Sequence, residues 1–271
     1  MTKKYKEIRK IGERKFQEET SKNKLVMLYR DALLELKDQE GLIKEEYLEK
    51  VKCPISNDQE STILFTKDGF NFVQSKISKL IYINPQLNKA GLTKIHSNSK
   101  VSNFYLNNVL QSTIHREFDD RKFLNAISEI KPYLPNQPWV LDVGCSGGAF
   151  LNLCKHKGFK CEGVEISKVA CEWGKENYNL SIHNSSWEEF ETPKEKYDLL
   201  SFWASHSYTK LPVYSLKKAY DAIKKGGVLL MLIDGNPDSL VMRALQEKCV
   251  GFEFLRNWYF SPQVLSKLLE D

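Results

Sequence analysis

The chain has 271 residues, 41% of them hydrophobic and 28% charged, and 40 Lys and Arg against 35 Asp and Glu give a net charge of +5. That length holds one large domain or two modest ones, and the composition fits a soluble globular protein with a real core rather than a disordered or fibrous chain. The basic residues are spread along the sequence and interleaved with acids where densest, which reads as solvated surface and not as a nucleic-acid footprint.

Residues 1–50 are rich in Lys, Glu, Leu and Gln and predict a helical arm. Apolar residues in LVMLYRDALLELKDQEGLIKEEYLEKV recur at helical spacing, and Gly41 is placed to end one helix before a shorter one. The opening MTKKYKEIRKIGERKFQEET lacks the apolar run of a signal peptide, and no stretch nears the ~18 apolar residues of a membrane span. Residues 51–90 predict a small β-rich module. TILFTKDGFNFVQ carries β-branched and aromatic residues on both sides of Asp68-Gly69, a hairpin signal, and KLIYINP adds a strand stopped by Pro85. Residues 91–138 return to a helical pattern in REFDDRKFLNAISEIKPYL and end in the linker between Pro135 and Pro138.

From Trp139 to Asp271 strands and helices alternate. WVLDVG, KCEGVEI, LSIHN, YDLLSFWA and VLLMLID read as strands, with helices in GAFLNLCKHKG, SKVACEWGKENY and SLKKAYDAIKKGG. The expected fold class is α/β, a Rossmann-like doubly wound and mostly parallel sheet preceded by the helical arm and the β-rich module. The six cysteines, Cys53, Cys145, Cys154, Cys161, Cys171 and Cys249, form no CxxC pair, so they read as reduced, mostly buried thiols of a cytoplasmic protein.

The informative stretch is Val140-Leu-Asp-Val-Gly-Cys-Ser-Gly-Gly148, which runs from a strand directly into a helix. Gly144, Gly147 and Gly148 give the freedom that a tight turn and a closely approaching ligand require. Glu165 ends the next strand, 21 residues after Gly144, where a βαβ nucleotide fold places the carboxylate that accepts from both ribose hydroxyls. Asp142 is placed to hold the loop or to meet a cationic part of the ligand.

The order Asp142-x-Gly144-x-x-Gly147-Gly148 differs from a dinucleotide GxGxxG and resembles the first motif of class I S-adenosylmethionine-dependent methyltransferases, with Ser146 at the middle glycine. Asn184-Ser-Ser-Trp-Glu-Glu-Phe190, KYDLLSFWASHSY, KKGGVLLMLIDGNPDSL and NWYFSPQVLSKLLED resemble later segments of that family, so the likeness runs from Trp139 to Asp271. It implies S-adenosylmethionine as cofactor. The methionine part would lie on Asp142, Gly144, Cys145, Ser146, Gly147 and Gly148, the ribose by Glu165 and Ile166, the adenine edge by Ser185, Ser186 and Trp187, and Trp203 would wall the pocket.

Members with sugar or other small-molecule substrates carry a zinc-ribbon-like module with two cysteine pairs around an Asp-Gly hairpin. Cys53-Pro-Ile-Ser56, Asp68-Gly69, Ser75-Lys-Ile-Ser78 and Asn84-Pro85 are similar to it, but serine stands at three of the four cysteine positions. Hydroxyls are poor zinc ligands, so a module without metal is expected and Cys53 becomes a core thiol. The family's base is often a His in a Glu-His pair after the fourth strand, where this chain has Ser207 and Tyr208. His206, two positions away at a strand end, is the candidate base or orienting group, and Tyr208 a second catalytic candidate. Trp258 and Tyr259 either line an acceptor pocket or pack in the core; His96 and His115 fall outside the expected site.

The family's closing antiparallel hairpin is not found before Asp271, which leaves an expected open sheet edge and with it a possible homodimer contact. The reading is a cytoplasmic methyltransferase of small molecules or glycan precursors, as in polysaccharide biosynthesis, with oxygen as acceptor and no nucleic-acid partner. The alternative is a cofactor-binding scaffold or regulatory protein without methyl transfer.

Overall fold

The computed structural model describes residues 22–270, so the first part of the expected helical arm, its N-terminal sequence and Asp271 lie outside the described residues. The first helix, α1 (Lys22–Leu34), carries Leu25, Leu28, Tyr29, Ala32 and Leu33 on one face into a core that also takes Leu36. It stops seven residues before Gly41. The Asp38 carboxylate accepts the amides of Glu40 and Leu42, each at 2.9 Å, and this local turn competes with the helix.

The short strand β1 (Leu48–Glu49) is followed by β2 (Ser61–Lys67), β3 (Phe70–Ser75), β4 (Ile81–Ile83) and β5 (Gln86–Leu87). Asp68 (φ 54°) and Gly69 (φ 94°) both take left-handed backbone between β2 and β3, the turn that matches the twist of a tight hairpin. Three helices come next: α2 (Lys89–His96), capped by the Asn88 side chain, α3 (Ser99–Tyr105), capped by Asn98, and α4 (Thr113–Ile130), capped by Ser112. A π-helical turn, Leu106–Leu110, joins α3 to α4.

The rest of the chain alternates: β6 (Trp139–Val143), α5 (Ala149–His156), β7 (Lys160–Glu165), α6 (Lys168–Tyr178), β8 (Ser181–Asn184), β9 (Tyr197–Trp203), α7 (Pro212–Ala222), β10 (Ile223–Leu232), α8 (Leu240–Leu245), β11 (Trp258–Tyr259) and α9 (Pro262–Glu270). Five of these strands form one parallel sheet in the order β10-β9-β6-β7-β8. Phe123, Ile127, Phe150, Leu151 and Cys171 from α4, α5 and α6 pack on one face. Ala219 and Ala222 of α7 pack on the other, against Leu141, Val143 and Phe202. Strand order reverses between β6 and β9, and a doubly wound sheet binds its ligand in the crevice at the carboxyl ends of those strands. β10 is one edge strand and β8 the other, and β10 is half-exposed along most of its length.

A second, antiparallel sheet has the order β11-β4-β3-β2. Trp258 pairs with Tyr82 and Tyr259 with Ile81, so a strand from the C-terminal part completes the sheet that the hairpin begins. Phe72 and Tyr259 share one core with Phe252 and Phe254.

Candidate cofactor site

The chain leaves β6 at Val143 and turns through Gly144 (φ 70°), whose amide donates to Val164 O at 2.8 Å and ties the loop to β7. A Cβ on Gly144 would stand 2.4 Å from Ser205 Cβ, and one on Gly148 (φ 78°) 2.4 Å from Leu180 Cδ1. Sterics and backbone angle together require glycine at Gly144, and the backbone angle favours it at Gly148. Ser146 itself sits in the left-handed region, at φ 52°, and hydrogen-bonds Tyr105 of α3 through its hydroxyl.

Glu165, at the end of β7, is held from both sides: Oε2 accepts the Ser146 amide and Oε1 the Ser167 amide, each at 2.8 Å. Burial pushes its carboxyl up, and the amide bonds from Ser167, Ser146 and Ile166 counter that only in part. Asp142 is buried and accepts from Ser201 Oγ at 2.7 Å. Burial raises it to about 8; the Ser201 bond and the Lys122 charge act against this, while Glu165 adds to it.

A cavity of about 170 Å³ opens on the loop. Asp142, Gly144, Cys145, Ser146, Gly147 and Trp203 line one side. The other side is α4, which presents His115, Arg116, Asp119 and Lys122, with Tyr105 and Leu110 ahead of it. Lys122 Nζ donates to Asp119 Oδ1 at 2.8 Å, and His115 Nδ1 lies 3.1 Å from Asp119 Oδ2. Burial works to raise the Asp119 carboxyl, but these two partners win and hold it below its usual value. His115 therefore belongs to the cleft, contrary to the sequence expectation; α4 packs on α5 and so brings its polar face to the loop. Nothing in the spacing of HREFDDRK marks that face in advance.

The remaining predicted residues separate. Ser185 lies beside Glu165, its amide donating to Glu165 O at 3.1 Å, and Ile166 is 66% exposed next to it. The Ser186 hydroxyl caps Glu189 N. The Trp187 ring is in the core, and its indole N–H donates to Ser215 O at 3.3 Å. His206 requires a correction: it is fully buried between Phe202 and Phe260, with Nε2 3.1 Å from Pro212 O. Burial lowers it to about 4, so it packs as a neutral core imidazole and faces no acceptor. Trp258 and Tyr259 are core residues too, the indole N–H donating to Thr209 O at 2.7 Å.

Tyr208 is different. Its hydroxyl donates to Glu253 Oε1 at 2.5 Å, and Arg256 Nη2 reaches the same carboxylate at 2.6 Å and the phenol oxygen at 3.3 Å. Burial and the Glu253 charge push the phenol well up. Sequence reasoning missed Glu253 and Arg256, which form an ordinary i, i+3 pair in a loop without a motif. The four positions compared above with zinc-ribbon cysteines also meet: Cys53 Sγ lies 3.1 Å from Ser78 Oγ, Ser56 Oγ 3.3 Å from Ser75 Oγ, and Asp58 Oδ2 accepts from Ser75 at 3.2 Å. Among the described residues no group of three or more His, Cys, Asp or Glu is placed to hold a metal ion.

Residues 115–271, more than half of the chain, match a family model described as a methyltransferase domain, and the chain belongs to that family. It is a methyltransferase by that family, with S-adenosylmethionine as the cofactor implied. Similar solved structures include an S-adenosylmethionine-dependent methyltransferase from Thermotoga maritima, 24% identical, covering 57% of this chain and 73% of that one at a TM-score of 0.45. One from Archaeoglobus fulgidus is 22% identical, with 57% and 67% covered and a TM-score of 0.46. The plantazolicin methyltransferase BpumL, in complex with S-adenosylhomocysteine, is 15% identical, with 64% and 69% covered and a TM-score of 0.49. No curated protein sequence matches the chain. The glycine loop, left-handed at Gly144 and Gly148, and the Glu165 carboxylate held beside it by the Ser146 amide fit this cofactor.

Proposed function

We propose that this methyltransferase methylates an oxygen of a small molecule or glycan precursor, with Glu165 and the Gly144–Gly148 loop holding the cofactor. When bound, S-adenosylmethionine supplies an electrophilic methyl group on a cationic sulfur. The reading is carried by Glu165, whose carboxylate is fixed beside the loop by the Ser146 and Ser167 amides. In that position it accepts hydrogen bonds from two ribose hydroxyls.

Asp142 balances positive charge beneath the loop, and Ser185 and Ile166 border the adenosine. Tyr208, rather than His206, handles the acceptor. Its phenol is held by Glu253, so a hydroxyl proton released during attack passes to an oriented phenol–carboxylate pair, and Arg256 keeps Glu253 in place. Residues of α3 and α4 wall one side of the cleft, which supports a small acceptor over a polymer segment lying in an open groove.

A second reading, a cofactor-binding scaffold, is favoured by the burial of His206. Incubation of the purified chain with S-adenosylmethionine and a panel of hydroxylated acceptors, sugar nucleotides included, separates the two. Release of S-adenosylhomocysteine that depends on acceptor supports the enzyme; cofactor binding without release across the panel favours the scaffold.

A further inference from the structure

We propose that the β2–β3 hairpin is the platform for the acceptor side of the site, with Lys67 at its tip as a positioning residue. Lys67 holds the loop 249–252 so that Glu253 meets the Tyr208 phenol. This role rests on the reading of Tyr208 as the group that handles the acceptor, and it gives the β-rich module a part in that chemistry.

A lysine beside an Asp-Gly turn ordinarily trails in water. Lys67 is instead half-buried, and its Nζ donates to Cys249 O and to Phe252 O, each at 2.6 Å. The two carbonyls bracket a turn that the Phe252 amide closes on Cys249 O at 3.2 Å, so one ammonium fixes both of its ends. Bonds to a charged donor are stronger than those between neutral groups. Phe252 O belongs to the peptide unit that leads into Glu253, and the amide of that unit donates to Tyr259 Oη at 2.8 Å. A planar peptide gripped at its oxygen by Lys67 and at its nitrogen by Tyr259 cannot rotate freely.

Aromatic residues of the hairpin hold the same loop. The Phe252 ring packs edge-on against Phe65 and Phe72, with centroids 4.9 and 5.4 Å apart, and the Phe254 ring stacks on Phe70 at 5.9 Å. Phe252 and Phe254 are both buried, and Glu253 stands between them in the chain. With its two neighbours in the core, its carboxylate turns to Tyr208 and Arg256. Arg256 returns to the loop, Nη1 donating to Gly251 O at 3.2 Å. Facing the pair are Arg256 with Asp234, Tyr259, Tyr29 of α1 and Lys67 itself, and Lys67 feels the Glu253 charge.

Difluorotyrosine in place of Tyr208 in the full chain tests this by its fluorine NMR signal, since its more acidic phenol titrates in a range the fold tolerates. Burial and the Glu253 charge hold the parent's midpoint above that of the free amino acid. Lys67→Met should lower the midpoint by about one pH unit as Glu253 moves off, and Lys67→Arg should restore most of the difference. Lys76→Met, which breaks the exposed Lys76–Glu60 pair near the other end of the hairpin, should leave it unchanged. If Lys67→Met does not fold, Lys67→Gln, which keeps one donor, is read in its place and should show a smaller fall. Acceptor turnover by the Lys67 variant should drop in step, with cofactor affinity retained. A midpoint that stays at the parent value in the folded Lys67 variants, or falls as far in Lys76→Met, would overturn the placement. A fall in Lys67→Met together with full turnover by Tyr208→Phe would instead overturn the reading of Tyr208, and the catalytic part of the role with it.

Discussion

Ser201 Oγ donates to Asp142 Oδ1 at 2.7 Å, so the hydroxyl at the centre of β9 orients a buried carboxyl at the end of β6. Burial raises that carboxyl to about 8 from an ordinary 3.8, and it keeps its proton at neutral pH in the free protein. Because the folded state holds this proton and the unfolded chain does not, the group's contribution to stability falls as pH rises from about 4 to 8. A cation bound beside it favours the ionised form. Cofactor binding should then release a proton below pH 8, and affinity should rise with pH between about 6 and 8. Calorimetry at pH 7 in buffers of different ionisation enthalpy reads the release directly. Binding heats independent of the buffer would refute it.

His206 makes a second pH dependence, of opposite sense. Burial lowers it from 6.5 to about 4, so the unfolded chain gains a proton that the folded protein refuses. Its stabilising contribution is complete above pH 6.5 and is lost as pH falls to about 4, a difference on the order of 3 kcal/mol. Thermal melts across this range should show the loss. His206→Gln, which can still donate to Pro212 O, should flatten the curve; an unchanged slope would assign the loss to other groups.

Gly144→Ala adds a Cβ 2.4 Å from Ser205 Cβ at a φ of 70°. Clash and backbone strain together should cost about 1–3 kcal/mol and weaken cofactor binding. Ser205→Gly in the same chain removes the clash but not the strain, so it should restore part of the melting temperature. Full restoration would mean that the backbone angle costs nothing here.

Tyr208→Phe keeps the ring and removes the bond to Glu253. Once an acceptor is known, turnover at saturating cofactor should fall by about 10²-fold, with cofactor affinity unchanged. A variant as fast as the parent would remove the phenol from proton handling.

The parallel sheet, the glycine loop and Glu165 were legible because they rest on local signals: period, turn residues and the span of one βαβ unit. The hairpin at Asp68-Gly69 was legible for the same reason. What escaped depends on contacts distant in sequence. His206 looks like a base from its place after a strand, yet Phe260 and Pro212 close over it. Glu253 and Arg256 gain meaning only from Tyr208, 45 and 48 residues away. The α4 stripe reads as surface until α4 packs on α5. The pairing of β11 with β4 joins segments about 175 residues apart, beyond the reach of any pattern within either.

The central claim is that the Gly144 loop and Glu165 together hold S-adenosylmethionine. Calorimetric titration of the parent chain and of Glu165→Ala measures it most directly. The parent should bind, and the variant should lose about 1–3 kcal/mol, a weakening of about 5- to 150-fold, measured below its own melting temperature. Equal affinity in the two proteins, or no binding by the parent at millimolar cofactor, would contradict it.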